Sequence, residues 1–91
     1  MNVIIIGAGK VGYYLSQTLM EHGYKVQLIE KNKDACLRIA NQLDIPVICG
    51  DGTRIEILDE AGAMHADALV SVTGQDEDNL IACQLGKKRC V

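Results

Sequence analysis

The feature that most constrains the fold of this chain is a glycine-rich turn that directly follows an apolar run near its start. Residues 3–6 are Val-Ile-Ile-Ile, and residues 7–12 are Gly-Ala-Gly-Lys-Val-Gly. A short apolar run bounded by glycine is typical of a buried strand. From Lys10 to His22 the apolar residues recur at helical spacing, and Gly23 provides a stop signal. The segment therefore predicts a strand, a tight turn and a helix.

The turn has the G-x-G-x-x-G spacing of a phosphate-binding loop, in the order Gly7-Ala8-Gly9-Lys10-Val11-Gly12. The spacing alone is a weak signal, but a strand before it and a helix after it are the context that the motif requires. Gly7 would permit the bend, Gly9 would let the backbone approach a pyrophosphate, and Gly12 would let the helix pack closely. The helix N-terminus offers N–H groups and partial positive charge to the phosphates. Lys10 either adds attraction or is an exposed lysine without ligand contact.

The rest of the chain alternates predicted strands and helices. Strands are predicted at Lys25–Glu30, Pro46–Cys49 and Ala68–Val72, and helices from an Asn32 or Asp34 cap through Leu43, from Thr53 through Ala61 and from Asp76 to Gly86. Thr53 to Glu56 fits a capping box. This β-α-β-α-β-α-β-α order predicts one α/β domain over residues 1–91, a Rossmann-type parallel sheet of four βα units with right-handed crossovers.

The end of the second predicted strand carries an acid, Glu30, at the position where such folds bind an adenosine ribose. The acid is expected about 20 residues beyond the glycine turn, where it accepts hydrogen bonds from the ribose hydroxyls. An acid at this place is otherwise only an exposed strand end. Because the glycine turn and Glu30 occur together, the ribose role is favoured. A carboxylate there repels a 2′-phosphate, so NADP is expected to bind poorly.

Two further loops lie at the same edge of the predicted sheet. Gly50-Asp51-Gly52-Thr53 follows the third strand, where ligands of open α/β sheets bind. Asp51 either accepts a hydrogen bond from an adenine amino group or shapes a turn before a helix that Thr53 caps, and the sequence favours neither. Thr73 and Gly74 follow the fourth strand and are expected to meet the second phosphate or the second nucleoside half of a ligand.

Composition and charge exclude several other functions. A formal net charge of −3 argues against nucleic acid as a partner. No apolar run approaches the roughly 20 residues that span a bilayer, and no signal peptide is present, so a soluble, intracellular protein without membrane insertion is expected.

Metal binding and catalysis receive little support from the residue pattern. The four cysteines show no zinc-ligand spacing, and His22 and His65 are far apart, so reduced, partly buried thiols and no metal site are expected. The acidic residues 76–78 are expected to complement a helix dipole rather than hold a cation. His65 is expected at the surface, on the sheet edge opposite the glycine turn.

The chain resembles the N-terminal nucleotide-binding domain of the TrkA family, also called the KTN or RCK N-terminal domain. The resemblance rests on the glycine turn, Glu30, Gly50-Asp51-Gly52-Thr53, and the Val72-Thr73 step followed by Asp78-Asn79-Leu80. It implies a cytoplasmic, non-catalytic regulatory module that binds NAD(H), ATP or ADP and forms homo-oligomers on a membrane potassium transporter or channel. It further implies that Gly7 to Val11 bind the phosphates, that Glu30 binds the ribose, that Asp51 and Thr53 border the adenine, and that Thr73 and Gly74 line the far side.

The resemblance also leads to expectations about the end of the chain. Full family domains continue through further strands, whereas Cys90-Val91 resembles the entry to a fifth strand, so a truncated domain prone to self-association through its fourth strand is expected. The alternative function is the NAD-binding half of a dehydrogenase. That function requires a substrate domain and an acid or base near the nicotinamide, and neither histidine is well placed for this role.

Overall fold

The computed structural model describes residues 1–72, which form a parallel sheet with helices on its faces. The elements in chain order are β1 (Asn2–Ile6), α1 (Lys10–Glu21), β2 (Lys25–Glu30), α2 (Lys33–Gln42), β3 (Val47–Cys49), α3 (Ile55–Glu60), a 3₁₀ turn (Ala63–His65) and β4 (Ala68–Ser71). The predicted Rossmann-type α/β class is confirmed, and each predicted strand is present to within a residue. The predicted helix over residues 76–86 lies outside the described residues.

The strands are arranged in the order β3-β2-β1-β4, and all three pairings are parallel. Ile6 at the end of β1 pairs with Ile29 on one side and with Ser71 on the other, and Glu30 pairs with Cys49. The carboxyl ends of the strands therefore meet at one edge of the sheet. Because the chain moves outward from β1 through β2 to β3 and then returns to β1's other side, this edge contains a topological switch point, where open α/β sheets bind ligands.

The core has two apolar layers, one on each face of the sheet. Side chains alternate along β1, so that Val3 and Ile5 enter one layer and Ile4 and Ile6 enter the other. The first layer packs against α1 and α2, and the second packs against Leu58 of α3 and the 3₁₀ turn. Burial on both faces explains why β1 is a continuous aliphatic run rather than an alternating one.

The predicted N-terminal cap is correct for α2 and wrong for α3. The Asn32 side chain accepts a hydrogen bond from the Ala35 amide at 3.0 Å and caps α2, as predicted. The capping box predicted for α3 is wrong, because the helix begins at Ile55 and its N-cap is Arg54, which makes no side-chain cap bond. The Thr53 hydroxyl donates to Asp51 instead, at 2.6 Å. Because α3 begins at Ile55, Thr53 lies one residue before the N-cap position, and its hydroxyl bonds within the turn instead of at the helix start.

The opposite edge of the sheet holds His65, as predicted. His65 is exposed in the 3₁₀ turn, and its carbonyl oxygen accepts a hydrogen bond from the side chain of Asn2, the first residue of β1, at 3.4 Å. Within residues 1–72, none of the helices has the length and apolar character needed to cross a membrane.

Candidate functional site

A cavity of about 610 Å³ opens at the carboxyl edge of the sheet, where β1, β2 and β3 end. Seven of the residues predicted from the sequence to bind a ligand line it: Gly7, Ala8, Gly9, Glu30, Asp51, Gly52 and Thr53. Residues that lie up to 46 positions apart in the chain therefore line the same cavity, because the parallel strands end at the same edge of the sheet.

Two glycines of the first turn are required by the fold itself. Gly7 has a φ of 105°, in the left-handed region that favours glycine, and its amide donates to the Ile29 carbonyl at 2.8 Å. A Cβ on Gly12 would lie 1.9 Å from the Gly7 carbonyl oxygen. Side chains at Gly12 are therefore excluded by the close packing of α1 on the turn, as the motif predicts.

Gly9 differs, because nothing within residues 1–72 excludes a side chain there. Its φ of −72° is ordinary for any residue, and a Cβ added to it would meet no atom of residues 1–72 within 4 Å. Gly9 lines the cavity and is the N-cap of α1, where it supplies no side-chain hydrogen bond. The absent side chain thus leaves an open approach to the amino end of a 12-residue helix.

The Glu30 carboxylate connects two loops at the rim of the cavity. Its Oε1 accepts a hydrogen bond from the Ala8 amide at 2.7 Å, and its Oε2 accepts one from the Asn32 amide at 2.8 Å. Each carboxylate oxygen has two lone pairs, so these bonds position the group and leave acceptor capacity for another donor. The side chain is half-buried in the cavity wall.

Asp51 shapes the loop after β3, which lines the cavity next to the glycine turn and Glu30. Its Oδ1 accepts from both the amide and the hydroxyl of Thr53, at 2.9 and 2.6 Å. These two donors, with smaller contributions from the cationic side chains of Lys31 and Arg54, hold the pKa of the Asp51 carboxyl below its ordinary value of 3.8. Asp51 is thus anionic at neutral pH. Asp51 therefore shapes the turn, as one interpretation expected, although Thr53 does not cap the helix, and a contact with adenine stays a prediction.

The glycines on either side of Asp51 serve packing. A Cβ on Gly52 would come 2.6 Å from the Ile6 Cγ2 atom, and one on Gly50 would come 2.6 Å from the Ile57 Cδ1 atom. The Gly50 amide also donates to the Glu30 carbonyl at 2.9 Å. The loop after β3 therefore lies close against both β1 and α3, and its backbone forms the cavity wall.

Not every predicted site residue lies in the cavity. Lys10 and Val11 are exposed and line a shallow groove on the outer side of α1 with Tyr14, and Gly12 is buried behind the turn. None of these three predicted residues lines the cavity at the carboxyl edge of the sheet. Thr73 and Gly74 lie outside the described residues.

Among the lining residues that the sequence reasoning missed, five follow Glu30 in the chain. Lys31 and Asn32 belong to the loop between β2 and α2, and Arg38 lies on α2. Asp34 and Ala35 also line the cavity, and residues three and four apart share a helix face. With Asn32 as the cap of α2, helical spacing places Arg38 on the same face as Asp34 and Ala35, and this signal could have identified Arg38 from the sequence.

The chain is similar to curated potassium uptake proteins over most of its length. It is 46% identical over 85 residues to a Trk system potassium uptake protein TrkA homolog from Methanothermobacter thermautotrophicus, covering 93% of this chain and 39% of that protein. It is 38% identical over 85 residues to Trk system potassium uptake protein TrkA from Vibrio alginolyticus, covering 93% of this chain and 19% of that protein. The chain thus spans well under half the length of these relatives.

A solved structure and a family match complete the comparison. The AMP-bound form of the Kef CTD from Shewanella denitrificans superimposes with a TM-score of 0.81 at 28% sequence identity, covering 97% of this chain and 52% of that one. The TrkA-N domain family matches residues 3–91. With the sheet order, the glycine turn and the Glu30 rim described above, these matches show that the chain belongs to the TrkA-N domain family.

Proposed function

We propose that this chain is the regulatory nucleotide-binding domain of a cytoplasmic potassium uptake protein, with NAD(H), ATP or ADP as its ligand. The observation that carries the proposal is the open approach at Gly9. Packing within residues 1–72 explains Gly7 and Gly12 but does not explain Gly9, and a ligand that approaches the backbone closely accounts for the missing side chain there. A phosphate group is the ligand that suits a helix N-terminus.

The cavity provides a separate surface for each part of an adenosine nucleotide. In our proposal the phosphates bind at the backbone from Gly7 to Gly9, and the ribose hydroxyls donate to Glu30. The adenine lies against the Gly52 backbone between Asp51 and Thr53, with its amino group donating to the Asp51 carboxylate. Both carboxylates are already positioned by hydrogen bonds within the chain, so little ordering is needed on binding.

The names of the two TrkA relatives support the potassium assignment, and the AMP in the Kef structure supports an adenosine ligand. A membrane potassium transporter or channel subunit is the partner that we propose, with the domain assembled as a homo-oligomer. The nucleotide regulates transport if it binds two assembly states with different affinity, since only such a difference shifts their populations. Thr73 and Gly74 remain the residues proposed to contact the second half of the ligand.

A non-catalytic role is proposed rather than a dehydrogenase. Glu30 and Asp51 each accept two hydrogen bonds from donors within the chain, so these two carboxylates of the cavity wall are positioned to accept hydrogen bonds from a ligand, which suits recognition. His65, a candidate acid or base, lies at the opposite edge of the sheet.

Calorimetric titration of the purified protein with NADH, ATP, ADP and NADPH tests the proposal. We expect NADH and the adenine nucleotides to bind and NADPH to bind most weakly. Absence of binding to all four ligands would refute the nucleotide function. Consumption of NADH in the presence of small carbonyl compounds would instead support the dehydrogenase.

A further inference from the structure

Two cysteines lie next to the main chain of Glu30. Cys36 lies in the first turn of α2, is 8% exposed, and donates a hydrogen bond from its Sγ to the Glu30 carbonyl oxygen at 3.1 Å. Cys49 ends β3, is exposed, and pairs in register with Glu30. The Gly50 amide, next to Cys49, donates to the same carbonyl at 2.9 Å. The helix and the edge strand thus bring both cysteines to one point of the sheet.

The two thiols lie beside the same backbone position, Glu30, and have different surroundings. Burial and a hydrogen bond with the Cys49 thiol raise the pKa of the Cys36 thiol to about 12, and the Glu30 carboxylate adds to the shift. Cys36 is therefore a neutral thiol shielded from solvent, whereas Cys49 is the thiol that a dissolved oxidant reaches first. An accessible cysteine beside a second cysteine is the arrangement found in reversible thiol oxidation.

We propose that Cys36 and Cys49 are a modification site that closes into a reversible disulfide and thereby weakens nucleotide binding. The oxidant is a hydroperoxide. The Cys49 thiolate attacks the terminal peroxide oxygen, the O–O bond breaks, and an alcohol leaves, or water in the case of hydrogen peroxide. The Cys36 sulfur then attacks the sulfenic sulfur of Cys49, the S–O bond breaks, and water leaves with the Cys36 proton. The two thiols lose two electrons in total, and the hydroperoxide gains them.

Formation of the disulfide would change the contacts that hold the Glu30 backbone in place. A disulfide needs an S–S distance of about 2.05 Å, shorter than any contact between two thiols. Cys36 also loses the hydrogen that it donates to the Glu30 carbonyl. The carboxylate of the same residue holds the Ala8 and Asn32 amides at the cavity rim, so a shift of this backbone alters the rim. The effect on affinity rests on the proposed nucleotide function, whereas formation of the disulfide does not.

The test uses the protein with Cys83 and Cys90 replaced by serine, which leaves one pair of cysteines. After treatment with hydrogen peroxide, peptide mass mapping is expected to find Cys36 linked to Cys49 and a thiol reductant to reverse the link. The affinity for ADP is expected to fall by about tenfold on oxidation, the change that corresponds to one good hydrogen bond. The matched control adds Cys49→Ser, which does not touch the cavity and removes the reactive thiol.

Each outcome decides one part of the proposal. Absence of the Cys36–Cys49 link overturns the modification site, and a link that leaves the ADP affinity unchanged overturns its coupling to the cavity. A similar loss of affinity on oxidation of the Cys49→Ser control assigns the effect to another residue. If the reduced protein binds no adenine nucleotide, the proposed function fails, and the mass mapping still decides whether the disulfide forms.

Discussion

The Ala8 amide donates to the Glu30 carboxylate across 2.7 Å, which connects the turn after β1 to the end of β2. One residue belongs to the proposed phosphate site and the other to the proposed ribose site. A single charge-assisted hydrogen bond therefore sets the spacing between the two halves of the adenosine site before a ligand arrives. Four predictions follow from this cavity and the packing around it.

The first concerns Gly9→Ala. We expect the melting temperature to fall by only a few degrees, because the added Cβ meets no atom of residues 1–72 and the exchange loses only the preference for glycine over alanine at the N-cap. We expect the ADP affinity to fall by about tenfold or more, since the methyl group occupies the approach to the helix N-terminus. Thermal unfolding and calorimetric titration of the same sample measure the two effects. Wild-type affinity in this variant would show that no ligand approaches Gly9.

The second concerns Gly12→Ala, which serves as the contrast to the first. Its Cβ would lie 1.9 Å from the Gly7 carbonyl oxygen, a backbone atom that moves only if α1 moves. We expect the free energy of unfolding to fall by about 2–3 kcal/mol, as in other overpacked interiors. Urea denaturation measures the change. A variant as stable as the wild type would mean that α1 does not pack closely on the turn in solution.

The third concerns Glu30→Gln, which keeps the shape of the side chain and removes its charge. We expect adenosine nucleotides to bind more weakly by about 1–3 kcal/mol, the range for a hydrogen bond to a charged group. We also expect the affinity for NADPH relative to NADH to rise, because the repulsion of the 2′-phosphate is lost while Arg38 stays in the cavity wall.

The control for this variant is Glu60→Gln, which removes a charge from an exposed position of α3 away from the cavity. It is expected to bind all four ligands as the wild type does. Equal affinities for Glu30→Gln and Glu60→Gln would reduce Glu30 to a structural link between two loops.

The fourth concerns the acid stability of the turn after β3. The pKa of Asp51 is lower in the folded protein than its ordinary value of 3.8, so the stability that this group contributes is complete above that value and is lost as the pH falls below it. Asp51→Asn is therefore expected to destabilise the protein at pH 7 and to make its stability less dependent on pH in the acid range. Urea denaturation between about pH 2 and pH 7 follows the change.

The exposed Asp44 provides the comparison for that measurement, as Asp44→Asn. Its stability profile should follow that of the wild type. If Asp51→Asn also follows the wild-type profile, the two Thr53 hydrogen bonds do not hold the carboxylate in solution.

The sequence predicts the strands well because their signals are local. The aliphatic run of β1 and the glycine at position 7 define a buried strand and its end without any tertiary information. Glu30 could be assigned to the site because it lies at a fixed distance from the glycine turn in such folds. Its bonds to the Ala8 and Asn32 amides could not be predicted, since they depend on the exact approach of two loops.

The errors have physical causes of the same kind. Thr53 has the sequence signature of a cap, but the turn that Asp51 shapes delays the start of α3 to Ile55 and leaves Thr53 outside the cap position. Arg38 was missed because its place in the wall depends on the angle at which α2 leaves β2. Val11 belongs to the motif by spacing alone, and the helix directs it outward, where it is 64% exposed.

The order β3-β2-β1-β4 has a consequence for how such a domain diversifies. Among the described residues, all those that line the cavity except Val72 lie between positions 6 and 53, at the ends of β1 and β2, in the loops after β1, β2 and β3, and on α2. The recognition of adenosine that we propose is therefore encoded in one contiguous stretch of the gene. If Thr73 and Gly74 contact the rest of the ligand, as we propose, substitutions after β4 would change which nucleotide is preferred and leave the adenosine site intact.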